Sequence, residues 1–179
     1  MTLNTASNVA SVETVTTTSA VADFWADGIT TNTPDPLQQA RAAAQAAGLP
    51  YAGSVSPVLA WQLVQAGQAT LVDVRTAEEI QFVGKTPAAL HVAWATGTAL
   101  TRNPRFVKEL DTKIKDKDTV LLLLCRSGKR SALAAEAATK AGFRQVFNVQ
   151  EGFEGDLDEH QQRGVLGGWR HAGLPWTQD

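Results

Sequence analysis

Residues 119 to 124 read "TVLLLL", a threonine and a valine running into four leucines with no polar position between them. Successive side chains of a strand point to opposite faces, so a strand of this composition is stable only in a sheet covered on both sides. That condition selects a mainly parallel sheet between two layers of helices. The neighbouring segments fit it. "ATLVDV" (69–74), "AALHVAW" (88–94) and "QVFNV" (145–149) are further short strand candidates, and helical segments separate them. "SPVLAWQLVQAG" starts with a Ser56 cap and Pro57 at the first helical position. "TAEEIQF" carries Thr76 and Glu79 at capping-box spacing, directly after a strand. "NPRFVKELDTKI" reads as a capped helix with Phe106, Leu110 and Ile114 on one face, and "SALAAEAATKAG" as a helix closed by Gly142. Alternating strand and helix indicate an α/β fold.

The chain of 179 residues suits one such domain with extensions. Residues 1–33, rich in Thr, Ser, Ala and Val, show no sustained period and are expected to form a flexible arm, in which Phe24 and Trp25 could dock on the domain or on a second subunit. Residues 34–49 form a helical extension, with Asp35 as cap, Pro36 at the first position and Gly48 as stop. The core domain is expected over 50–157, with a Trp- and Gly-rich tail, 158–179, packed on it. The first Lys or Arg is Arg41, so the opening segment has neither the Arg-rich character of a transit peptide nor a basic secretory n-region. No apolar run reaches membrane-spanning length. There is no basic stripe for nucleic acid. One cysteine in the whole chain permits no internal disulfide, which fits a reducing, cytoplasmic compartment.

That cysteine, Cys125, follows the leucine run. Ligands of open parallel sheets bind beyond the carboxyl ends of the strands. The loop "CRSGKRS" offers Gly128 for an unusual turn, backbone N–H groups, the positive end of the next helix dipole, and the charges of Arg126, Lys129 and Arg130. Each favours thiolate over thiol, and the thiolate is the nucleophile. A free cysteine can instead simply fill space in a core, but a space-filling residue needs no basic Gly loop around it.

"CRSGKRS" resembles the active-site loop of rhodanese-type sulfurtransferases, and "LVDVRTAEEI" resembles that family's Asp-Val-Arg-x-x-x-Glu stretch at Asp73, Arg75 and Glu79. The ending "GWRHAGLPW" is similar to the tail of a bacterial single-domain subgroup. The resemblance runs from about Val55 to Trp176. It implies a rhodanese-like α/β fold, a five-stranded mainly parallel sheet flanked by helices on both faces. Two departures stand out. "GKTPAA" replaces the family's usual Gly-His-Ile-Pro-Gly-Ala, placing Lys85 where His is common, and Glu151-Gly152 replaces the usual Gly-Gly.

The resemblance implies a thiosulfate sulfurtransferase-type enzyme. Cys125 would carry a persulfide, with Arg126, Ser127, Gly128, Lys129, Arg130 and Ser131 forming the substrate and persulfide loop and Asp73 and Arg75 supporting it. Lys129 is expected to face the substrate. Arg130 can turn inward to a buried carboxylate such as Asp73 or face solvent. For Ser131, capping the helix is the preferred role and donation to the sulfur the alternative. Glu79 is accounted for by the capping box. The donor would be a small sulfur anion and the acceptor a thiol, cyanide or a protein. No metal or organic cofactor is required, and the oligomeric state is undetermined. His91, His160 and His171 have no metal-ligand spacing, and "EGFEGDLDEH" lacks the pattern of a calcium loop. A persulfide carrier or interaction module is the first alternative. A Cys-dependent phosphatase or arsenate reductase is the second. Those enzymes use Cys-x5-Arg, whereas here Arg130 closes a loop of six residues from Cys125 and position 131 is serine.

Overall fold

The computed structural model describes Met1 and residues 35–178. The expected arm, with Phe24 and Trp25, lies outside the described residues. Helix α1 (Pro36–Ala46) begins where Asp35 accepts a hydrogen bond from the Leu37 N–H at 3.1 Å. Strand β1 (Gly53–Val55) leads into α2 (Pro57–Gln65), capped by the Ser56 hydroxyl on Leu59 N–H. Strand β2 (Thr70–Asp73) is followed by α3 (Ala77–Val83), whose capping box is complete in both directions. Short strands β3 (Leu90–His91), β4 (Ala95–Thr96) and β5 (Thr101–Arg102) precede α4 (Phe106–Lys113). The chain then forms β6 (Leu121–Leu124), α5 (Lys129–Lys140) and β7 (Val146–Val149).

Five strands form one sheet in the order β1-β7-β6-β2-β3, with every pairing parallel. The leucine run explains the layering. Leu121 and Leu123 face Val72, Phe106, Leu110 and Ala134 in one core, while Leu122 and Leu124 face Leu71, Ala60, Phe147 and Trp169 in the other. All four leucines are fully buried, each contributing about 1.5–3 kcal/mol of transfer free energy.

Several local expectations need correction. β1 went unrecognised because "GSV" is too short and too small to show a period. The β4–β5 hairpin was also missed, and the strand expected over 88–94 is regular only at Leu90–His91, although Val92 and Trp94 still donate backbone hydrogen bonds to Asp73 and Val74. Helix α4 has no side-chain cap. Asn103 instead closes a turn before it, accepting from Arg105 N–H at 2.9 Å. Helix α5 starts at Lys129 rather than Ser131, because Gly128 occupies the cap position in a left-handed conformation, φ 84°. Ser131 therefore sits in the first turn and does not cap the helix.

In the tail, Trp169 is fully buried, packs edge-on against Trp61 with ring centroids 5.7 Å apart, and donates its indole N–H to Pro175 O. Lys85 and Thr177 exchange two backbone hydrogen bonds, so the position that is usually His in the resembled pattern is used here for a main-chain contact with the tail. No helix among the described residues is long and apolar enough to cross a membrane.

Candidate functional site

Strands β2 and β6 lie side by side, with Asp73 opposite Leu124. From there the chain turns to opposite sides, β2 continuing to β3 and β6 to β7. This is the topological switch point at which open α/β sheets form a crevice. Cys125 is the next residue beyond it.

On the β2 side, charge is locked away. The Arg75 side chain is wholly buried. Its Nε lies 3.0 Å and its Nη2 2.6 Å from the Asp73 carboxylate oxygens, and Nη2 also donates to Gly84 O at 2.9 Å. The guanidinium covers the face of Phe153, 4.0 Å from the ring centroid. Phe153 in turn donates its N–H to Cys125 O at 2.8 Å. Asp73 and Arg75 thus form a structural pair that supports the cysteine loop from beneath.

On the β6 side, the loop's amides are left open. Among the described residues, none of the backbone N–H groups of Arg126 through Arg130 donates to another protein group. Such uncommitted amides, at the amino end of a helix, are suited to an anion. The loop's carbonyls are held instead by the turn after β7: Cys125 O and Arg126 O accept from Phe153 and Glu154 N–H. Gly152 makes that approach possible. Its φ is 63°, and a Cβ there would lie 2.4 Å from Cys125 O. Glu151, which replaces the first glycine of the resembled pattern, also has positive φ, and its carboxylate accepts from Gly168 N–H at 2.9 Å, tying the tail to this turn.

The sulfur itself is fully buried, at 0% exposure. Ser131 Oγ stands 3.1 Å from Cys125 Sγ, so the serine contacts the sulfur. Arg130 turns inward, but its carboxylate is Glu79, not Asp73: Nη1 and Nη2 meet the two Glu79 oxygens at 2.7 and 2.6 Å. The Glu79 carboxylate holds the Arg130 guanidinium above its ordinary range against the opposing effect of burial, and Cys125 and Asp73 add to the rise. Burial pushes the Glu79 carboxyl up, but the bonds from Arg130 and the Thr76 N–H, with the charges of Arg130 and Arg126, hold it below its ordinary value. Glu79 therefore does more than cap α3. It clamps α3 to the start of α5.

Lys129 is exposed and pairs with Asp156 at 3.1 Å. Arg126 borders a cavity of about 270 Å³, whose wall includes Thr76, Glu78, Glu79 and Leu100, while Cys125 does not line it. Ser127 is half-buried in the loop. Asn148, in the middle of β7, was not singled out from the sequence, yet its side chain reaches Ser131 Oγ at 2.6 Å.

A model of the rhodanese-like domain matches residues 56–159. Among curated proteins, an uncharacterized protein of Rickettsia rickettsii is 34% identical over 119 residues, covering 64% of this chain and 87% of that one. The crystal structure of Rv0390 from M. tuberculosis is similar at 43% identity with a TM-score of 0.65, covering 72% of this chain and 99% of that one. A polysulfide-sulfur transferase homodimer from Wolinella succinogenes shares the fold at 22% identity and a TM-score of 0.53, covering 79% of this chain and 89% of that one. With a matching family model, a five-stranded parallel sheet and a cysteine at its switch point, the chain belongs to the rhodanese-like domain family.

Proposed function

We propose that the protein is a sulfurtransferase that moves sulfane sulfur from a small anionic donor such as thiosulfate to a thiophilic acceptor through a persulfide on Cys125. The observation that carries this reading is the set of amides from Arg126 to Arg130 with no protein acceptors among the described residues, beside the one thiol of the chain. Structural cysteines need no such surroundings. The Cys125 thiolate attacks the outer sulfur of thiosulfate. A sulfur–sulfur bond forms on Cys125, the bond to the sulfonate sulfur breaks, and sulfite leaves with the electron pair. The free amides stabilise the negative terminal sulfur, as donors of an oxyanion hole stabilise developing charge. A thiolate, cyanide or a thiol on a partner protein then attacks that sulfur and restores the Cys125 thiolate.

The buried position of Cys125 sets a condition on this cycle. The loop must shift at Arg126 to let reactants in from the neighbouring cavity, and reactants must be small or presented on a slender chain. No metal or organic cofactor enters any step, and a reducing cytoplasm is the compartment in which the single thiol stays available.

Sulfur transfer from thiosulfate to cyanide, measured as thiocyanate formed, is expected in the full chain and absent in Cys125→Ser. Undiminished turnover in that variant would remove Cys125 from the chemistry. If Cys125 takes up sulfur yet steady-state turnover with thiosulfate is poor, the protein is a persulfide carrier serving a specific partner.

A further inference from the structure

An asparagine in the centre of a buried strand needs a reason, since a polar group removed from water is costly unless hydrogen-bonded. Asn148 lies between Phe147 and Val149 in β7, paired with Leu123 on one side and Ser54 on the other, and is 7% exposed. Its amide meets the Ser131 hydroxyl at 2.6 Å, and that hydroxyl also stands 3.1 Å from Cys125 Sγ and 3.2 Å from Gly128 O. A serine hydroxyl has a single hydrogen to donate. With Asn148 Oδ1 toward it, three acceptors compete for that hydrogen. The 2.6 Å separation is typical of an O–H···O bond, so the arrangement seen directs the hydrogen to Asn148. A neutral thiol is satisfied in that case, because its S–H donates to Ser131 Oγ. A thiolate or a persulfide anion is not, since it only accepts.

Rotating the amide of Asn148 reverses the chain. Nδ2 then donates to Ser131 Oγ, and the hydroxyl hydrogen is released to the two remaining acceptors, Gly128 O and the sulfur, of which a sulfur anion is the stronger. Cys125 and Ser131 are fully buried and Asn148 nearly so, which leaves water little access to replace the missing donor. We infer that Asn148 is a positioning residue for Cys125, acting through Ser131, whose amide orientation sets the direction of a three-residue hydrogen-bond chain ending on the sulfur. This rests on Cys125 being the nucleophile. The proton lost by the thiol goes to solvent, and the chain changes only which group donates to the sulfur left behind. Charged groups around the sulfur are Arg126, Lys129 and Arg130 on its own loop and helix, Glu79 from α3, Asp73 and Arg75 at the end of β2, and Glu151 in the turn after β7. Replacing Asn148 by leucine, which matches it in number and branching of heavy atoms, changes none of these charges.

The test follows the ultraviolet absorbance of the thiolate across pH in the full chain, with Cys125→Ser as the blank. Asn148→Leu removes the acceptor that holds the hydroxyl hydrogen in the arrangement seen and leaves Ser131 to donate to the sulfur, so the profile is expected to move to lower pH, raising the thiolate fraction at neutral pH by about three- to tenfold, the range of one neutral hydrogen bond removed. Ser131→Ala removes that donor and should move the profile to higher pH, and the double variant should match Ser131→Ala alone. An unmoved profile in Asn148→Leu, or two shifts that add in full, would overturn the proposal. Should the leucine variant not fold, Asn148→Asp reads the same chain: its carboxylate only accepts, so its shift must be larger with Ser131 present than with alanine there. Equal shifts overturn the proposal. The titration uses no sulfur donor, so its outcome is independent of whether thiosulfate loads Cys125.

Discussion

The loops that follow β2 and β6 begin side by side, at Asp73 and Leu124, and treat charge in opposite ways. After β2, Asp73 and Arg75 are buried and bound to each other, with Gly84 O accepting from Nη2 and the Phe153 ring under the guanidinium, and only Arg75 Nη1 of this pair has no hydrogen-bond partner among the described residues. After β6, the loop amides have no protein acceptors among the described residues, and of its three cations Arg130 alone is held there by a half-buried carboxylate. One loop is closed on itself except for that nitrogen. The other is left open to an external anion, and the first holds it in place through Phe153. The comparison teaches that what marks the working loop is the set of hydrogen bonds it does not make, since both loops contain arginines.

The contrast can be broken most severely on the structural side. Arg75→Ala leaves the Asp73 carboxylate buried without its partner, a change that costs about 3–5 kcal/mol. A large drop in the denaturant midpoint is the expected result, whereas Cys125→Ser should leave that midpoint nearly unchanged. Comparable midpoints for Arg75→Ala and the parent would mean that the buried pair does not support the fold.

Next in size is the contact between the two sides of the cysteine loop. Gly152→Ala forces a side chain into positive φ and onto Cys125 O. A penalty of more than about 1 kcal/mol is expected, together with a fall in thiosulfate turnover of about tenfold or more as the loop is displaced. Preserved turnover would show that the loop tolerates movement of its carbonyl supports.

The smallest effect concerns the Glu79–Arg130 clamp. Glu79→Gln should cost about 1–2 kcal/mol at neutral pH, toward the low end of the scale of hydrogen bonds to a charged group because the pair is partly exposed. Because the folded carboxyl sits below its ordinary value of 4.5, the clamp's contribution is fully present above that pH and is lost as pH falls through the lower folded value. The stability gap between the two proteins should therefore be constant from neutral pH down to about 4.5 and close in stronger acid. A gap that persists in acid would assign the effect to packing instead of charge.

What could be read from the sequence divides along a physical line. Caps at Asp35, Ser56 and Thr76 act within three residues of themselves, so their spacing alone located α1, α2 and α3. The leucine run declared a sheet covered on both faces because burial on alternate sides is a property of each strand by itself. Contacts between distant segments carry no such local sign. Glu79 and Arg130 are 51 positions apart; the capping box is a sufficient local explanation for Glu79, and nothing local to Arg130 decides between solvent and a buried carboxylate or says which carboxylate it meets. Ser131 was assigned to the cap because serine favours that position, but Gly128 takes it at positive φ and starts the helix earlier, turning Ser131 toward the sulfur. Asn148 was hidden in an otherwise apolar strand. Its one available signal was the presence of an amide where a buried strand favours aliphatic residues.

The central claim is that Cys125 carries the transferred sulfur, and it is tested most directly by incubating the full chain with thiosulfate and weighing the peptide that contains this residue. The account predicts a gain of one sulfur atom on Cys125, removed again by cyanide. A thiol that remains unmodified under those conditions, in folded protein, would contradict it.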